Sequence, residues 1–179
     1  MSQAERDALA DSTLRPPPTE AELPKAAGPG SEWTVEQLLR LANSGLAARS
    51  FDRGKTMFAA AKCGSCHRFD GAGGATGPDL SNVAGRFSHR DLIEAIVLPS
   101  KVISDQYRAM VITTNDGKVY SGRVTNDVGG KLTVSVDAVD PTKTVVIVKS
   151  NVDEMEPAKA SLMPDKLLNE LNQNEVLDL

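Results

Sequence analysis

Five consecutive residues, Cys63-Gly64-Ser65-Cys66-His67, constrain this chain more than any other stretch. Two thiols at this spacing with a histidine directly after them form the attachment pattern of a c-type haem. The thiols can bond the two vinyl groups of one porphyrin, and the histidine is then held where a ring nitrogen reaches the iron. No other cysteines occur in the 179 residues.

Other chemistries use similar spacings. A structural zinc ion needs about four nitrogen or sulfur ligands, and beyond these residues the chain offers only one further histidine, His89. A ligand adjacent in sequence to Cys66 also gives poor tetrahedral geometry. A thioredoxin-like dithiol would follow a strand in a βαβ setting, whereas the residues before Cys63 read as helix. Coincidence on a surface turn is the remaining alternative.

Composition is consistent with a group that fills space. Hydrophobic residues make up 40% of the chain but aromatic ones only 4%, so a large flat cofactor would supply core volume that rings supply elsewhere. The net charge of −4 argues against a nucleic-acid partner. No run is long and apolar enough for a membrane span, and no charged-then-apolar leader is present. Haem attachment outside the cytoplasm would need such a leader, so Met1 is expected to begin a processed or excised fragment.

Residues 1–32 hold Arg15-Pro16-Pro17-Pro18, Pro24 and Gly28-Pro29-Gly30, few large apolar side chains, and six acidic against three basic residues. Such a stretch buries too little surface to offset its ordering entropy. It is expected to be a flexible linker, extended near 16–18, with weak support for a helix at 5–14. The remaining residues carry 17 basic and 18 acidic side chains, so their charge says little about a partner.

Thr34 and Gln37 form a capping pattern that opens a helix after Trp33, with Val35, Leu38, Leu39, Ala42 and Leu46 on one face. Asp52 opens a second helix to about Ala61, in which Gly54, costing about 1 kcal/mol relative to alanine, reads either as a close backbone approach or as a simply tolerated glycine. Residues 71–77 read as a glycine-rich loop leading to Gly77-Pro78-Asp79-Leu80. A proximal histidine needs its second nitrogen hydrogen-bonded, and Pro78, in a rigid turn, offers a carbonyl acceptor. Ser88 and Asp91 cap a short helix stopped by Pro99. His89, in its first turn, reads as surface.

Gly54, Phe58, Cys63-Gly64-Ser65-Cys66-His67, Gly77-Pro78-Asp79-Leu80, Gly85-Arg86 and Leu162-Met163-Pro164 together resemble the class I c-type cytochromes, over about residues 51–103 and 161–179. The resemblance implies a helical fold around one covalent haem c, with His67 proximal and a methionine distal. More narrowly, the chain is similar to the planctomycete and verrucomicrobial haem-binding domain, found at the C-terminal end of large secreted proteins with dehydrogenase-like propellers. In class I cytochromes the last helix crosses the first near the matching glycine and phenylalanine. Here Asn172 caps a segment too short for a stable isolated helix, so a truncated terminus is expected.

The middle departs from that family. Residues 107–114, 119–125, 132–136 and 144–148 read as four strands in meander order, with turns at Asn115-Asp116-Gly117, Gly129-Gly130 and Asp140-Pro141. The expected fold is therefore mainly α with a β insertion (α+β). A monohaem domain spans 33–179, and a small antiparallel sheet is inserted at about 104–160.

Met163 is the expected distal ligand. Met1 lies in the tail, Met57 on the helix before the motif and Met110 in a strand, while Met155 lies among acidic neighbours that favour a solvated turn. Met163 precedes Pro164 and matches the class I pattern. The function so implied is one-electron transfer in an extracytoplasmic, periplasmic chain, with a fused or partner dehydrogenase as donor, no nucleic acid, and an oligomeric state left open. Two alternatives stand beside it: a haem peroxidase or sensor with an open or labile distal position, and a partner- or carbohydrate-binding module carried by the β insert.

Overall fold

The structure is a computed structural model, and it describes Gln3 and residues 23–179. The extended segment expected at 16–18 and the helix expected at 5–14 lie outside the described residues. Residues 23–32, expected as the end of a linker, run without regular structure along the C-terminal segment. The Ala27 amide donates to Glu175 Oε1 at 2.6 Å, and Asn172 Nδ2 donates to the Gly28 carbonyl at 3.2 Å. Hydrogen-bond partners far along the chain, invisible to local composition, hold this stretch in place.

Four helices follow. Helix α1 (Val35–Gly45) carries the Thr34–Gln37 capping box. Trp33, just before the cap, packs in one cluster with Leu38, the staple arrangement that fixes a helix start. Its Nε1 donates to the Leu171 carbonyl at 3.1 Å, tying α1 to the end of the chain. Helix α2 (Phe51–Ala60) is capped by Ser50 rather than Asp52. Asp52 lies inside the first turn, where a carboxylate still favours the positive helix end. Helix α3 (His89–Val97) has the Ser88–Asp91 capping box, and α4 (Gln173–Asp178) is capped by Asn172. Helix α1 packs on α3, and α2 on α4. The short α4 reaches Gly54, where a Cβ would run into the Asp178 carbonyl. Arg53 Nε at 2.9 Å and Arg49 Nη1 at 3.5 Å from the Asp178 carboxylate fasten the two helices.

Leu38, Ala61, Leu168 and Leu171 form the helical core, with Met57, Cys63, Ile93, Ile96 and Val97 packed around it.

Two antiparallel sheets complete the architecture. The small one pairs β1 (Arg68–Phe69) with β2 (Ala72–Gly73), within a stretch expected to be loop from Gly71 onward. Asp70 and Gly71 turn it with positive φ, a two-residue hairpin that an Asp-Gly pair signals. The large sheet has five strands in the order β6-β5-β4-β3-β7. They are β3 (Met110–Thr114), β4 (Val119–Val128), β5 (Lys131–Ser135), β6 (Thr144–Val148) and β7 (Val152–Pro157). The first four run as the expected meander, although β3 starts at Met110 because Asp105–Tyr107 forms a 3-10 turn. The fifth replaces the turn expected around Met155. Its acidic residues lie on an edge strand, where charge and a terminal proline discourage pairing with other chains.

Edge strands β6 and β7 lie on opposite sides of the sheet, yet only the 3-10 turn Lys149–Asn151 joins them. A flat five-stranded sheet is about 19 Å wide, and four residue steps span at most about 14 Å. The sheet must therefore curl into a partly closed barrel. Strand β4 allows this by bending at a bulge between Val124 and Asn126, pairing first with β3 and then with β5. The barrel's core is Ile112, Leu132, Val134 and Ile147. The chain leaves and returns at one point, where the Ala158 amide donates to the Ala109 carbonyl at 2.9 Å.

Candidate functional site

The site begins where α2 ends. Lys62 takes a left-handed conformation, φ 60°, which stops the helix and turns the chain into a 3-10 turn at Cys63–Ser65. The amides of Cys66 and His67 donate to the Cys63 carbonyl at 3.2 and 2.9 Å. Positions i and i+3 of such a turn eclipse one another, so the spacing brings the two thiols to one side. Both cysteines are free thiols. Cys63 is packed against the helical core, and burial pushes its thiol up to about 11. A redox-exchange dithiol depends on a thiolate at low pKa, so this environment argues against one. Among the described residues no group of three or more His, Cys, Asp or Glu is arranged to hold a metal ion by itself.

A wrapping loop supports the motif from behind. The Gly74 amide donates to the Gly64 carbonyl at 2.9 Å, Gly77 to Cys66 at 2.8 Å, and Leu80 to Arg68 at 2.8 Å. Gly77 lies flush on the histidine ring: a Cβ there would stand 2.8 Å from His67 Cε1. That contact admits no side chain, and it brings the next carbonyl into place. His67 Nδ1 lies 2.8 Å from the Pro78 carbonyl oxygen. A carbonyl only accepts, so Nδ1 carries the ring proton and Nε2 keeps its lone pair for a metal. The turn continues into Asp79, whose carboxyl is held below its usual range by hydrogen bonding from Ser81, first from its side chain and then from its amide, which donates at 2.8 Å.

Aromatic rings line the same region, with Phe69 between Phe51 at 6.2 Å and Phe58 at 6.0 Å. Phe58 lies against Gly64 of the motif, and Phe51 at the other side of Phe69 is exposed. These rings, the two thiols and the Nε2 lone pair fit a covalently held, largely apolar ring system with a central metal.

The remaining expected residues are distributed as follows. Met163 is half-buried in irregular chain, its amide donating to Ser161 Oγ at 3.1 Å. Ser161 is in turn tied to Ser100 Oγ at 3.0 Å, just beyond α3. Met155 lies opposite Ile112 on β7 and is exposed. Met57 packs on the helical core and Met110 on the sheet core. His89 is exposed and lines a shallow cavity of about 330 Å³ with Phe87 and Leu92.

Sequence reasoning missed two contacts from the large sheet. Arg123 Nη1 donates to the Thr76 carbonyl at 3.1 Å, and Cys66 Sγ donates to the Ala138 carbonyl at 3.2 Å. Neither has a local sequence signal, because both join residues far apart in the chain.

The model of the cytochrome c family matches residues 51–123. The matched stretch holds Cys63, Cys66, His67 and Pro78, ends inside β4, and does not reach Met163. No curated protein matches the chain. Domains of the matched family bind haem c covalently, with its iron, and generally act as electron carriers outside the cytoplasm. The cofactor of this chain is accordingly haem c. Among the described residues no helix is long and apolar enough to cross a membrane.

Proposed function

We propose that the chain is a one-electron carrier in which Cys63 and Cys66 hold the haem, His67 and Met163 are its axial ligands, and Pro78 orients His67. The observation that carries this reading is the 2.8 Å approach of His67 Nδ1 to the Pro78 carbonyl, one residue after the second thiol. When bound, the haem supplies one-electron cycling between ferric and ferrous iron. Donation from Nδ1 to a fixed carbonyl sets the ring's tautomer and angle and makes Nε2 a stronger ligand. A thioether from Met163 would favour the ferrous state and raise the potential.

The narrower identity belongs to the same proposal. Residues 33–179 form a monohaem domain of the planctomycete and verrucomicrobial type, with the sheet inserted at about 104–160. The Ser161 to Ser100 bond of 3.0 Å supports it, since the chain resumes beside the point where it departed. Its setting is extracytoplasmic, in the periplasm, with a fused or partner dehydrogenase as donor.

A spectrum of the haem-loaded protein tests the ligands. The ferric form should show a sulfur-to-iron charge-transfer band in the near infrared, and Met163→Ala should abolish it. The same change should lower the potential by a sizeable part of the ~0.8 V that axial ligation spans. An unchanged band and potential in Met163→Ala would remove Met163 from the iron. Carbon monoxide binding or peroxide turnover by the unaltered protein would favour the sensor or peroxidase reading instead.

A further inference from the structure

The large sheet touches the loop behind the histidine through one cation. Arg123 lies at the point where β4 passes from β3 to β5, paired with Ser135. Its guanidinium lies over the Tyr107 ring at 5.4 Å from the centroid. Nη1 donates to the Thr76 carbonyl at 3.1 Å. The Thr76 hydroxyl is buried without a partner, so that side chain does nothing to anchor its own residue. Gly77 comes next, its amide on the Cys66 carbonyl, and then Pro78, whose carbonyl faces His67 Nδ1.

We propose that Arg123 is a positioning residue for His67, acting from the sheet through Thr76, Gly77 and Pro78. This rests on His67 being the proximal ligand. Each link from the guanidinium to the imidazole is a hydrogen bond or a peptide bond, so displacement of Thr76 moves the Pro78 carbonyl directly. Arginine suits the task because its planar fork, stacked on Tyr107, is already ordered before it donates. The other contact from the sheet does not survive in the same form. Once Cys66 is a thioether it has no proton to give Ala138, whereas neither partner of the Arg123 bond is a group that haem attachment consumes.

The test uses the full haem-loaded chain and three variants, Arg123→Lys, Arg123→Gln and Lys149→Gln. Lys149 pairs with Asp127 elsewhere on the sheet and controls for loss of one charge. In the ferrous protein, exchange of the His67 Nδ1 proton and of the Gly77 amide is followed by magnetic resonance. Both Arg123 variants should speed these exchanges on the order of tenfold, the scale of losing one charge-assisted hydrogen bond. Lys149→Gln should leave them unchanged. Arg123→Lys keeps the charge, so its potential should rise slightly as the ring's hydrogen bond weakens. Arg123→Gln should fall below Arg123→Lys, because a nearby cation disfavours ferric iron.

Unaltered exchange and potential in both Arg123 variants overturn the positioning role. Should Arg123→Gln fail to fold, Arg123→Lys decides by the same two readouts. A haem-loaded protein whose iron is not ligated by His67 would overturn the functional reading. Gly77 exchange in Arg123→Lys would then still report whether the sheet holds the loop, with wild-type rates rejecting the contact.

Discussion

The sheet and the helical part solve the problem of a core in opposite ways. Ile112 and Val134 are 0% exposed, and with Leu132 and Ile147 they form a closed apolar centre built from the chain alone. Each such side chain contributes about 1.5–3 kcal/mol on burial. The helical part buries Leu38, Ala61, Leu168 and Leu171. Both regions leave large apolar side chains exposed, Phe51 at 63% and Val102 at 83% in one, Val119 at 62% and Val128 at 68% in the other, but only the helical part also carries the attachment motif Cys63, Cys66 and His67. The difference teaches where the cofactor enters the energetics. One region is complete as polypeptide, and the other is finished by a group that is not polypeptide.

Removing the attachment should have the largest effect. The double change Cys63→Ala, Cys66→Ala is expected to abolish cooperative unfolding of α1 to α4 while the strands stay protected from hydrogen exchange. A double variant that melts at the same midpoint and with the same cooperativity as the haem-loaded protein would break the contrast, since the helices would then stand unaided.

The converse change is Ile112→Ala in the sheet, expected to cost about 2–5 kcal/mol in denaturant unfolding with the haem absorption spectrum intact. A spectral change would mean that the two regions share one core.

Acid gives the smallest effect and the finest distinction. Asp178 is held below the ordinary carboxylate range, first by its hydrogen bond to Arg53 and then by the charges of Arg53 and Arg49. Its folded pKa is depressed, so its contribution is fully present above the unfolded value of about 3.9 and is lost as pH falls through the folded value. On the sheet, Lys118 holds Asp116 down to about 2, but these two residues belong to one turn. Protonating Asp178 releases the docking of α4 on α2, whereas protonating Asp116 only loosens a hairpin end. Between pH 4 and 2, amide exchange should therefore rise in α4 before it rises in β3 to β7, and Arg53→Ala should remove most of that pH dependence. Simultaneous loss in both regions would refute the ordering.

What the sequence disclosed was what short-range physics decides. The capping boxes at Thr34 and Ser88 are contained within four residues, and the alternation of β3 to β6 follows from a period of two. Pro78 was legible as an acceptor because a histidine so close in sequence needs one and a proline carbonyl is rigidly placed. Strand β7 was not legible, because Asp153, Glu154 and Glu156 resemble a solvated turn until Met110–Thr114 is brought alongside. The docking of residues 23–32 on the C-terminal segment, the wrap of Gly74 and Gly77 over the motif, and the reach of Arg123 depend likewise on partners that no local window contains.

The hydrogen bond between Ala109 and Ala158 bears on how such a chain can change over evolutionary time. The sheet is a detour that returns the backbone to its point of departure. Its length and surface can therefore drift, as cargo carried on a fixed frame, without displacing the ends to which it is joined. Drift is restrained where cargo and frame touch, as at Arg123 with Thr76. Across many chains of this plan, the sheet should be the most variable part in outline and should hold its identity at that contact.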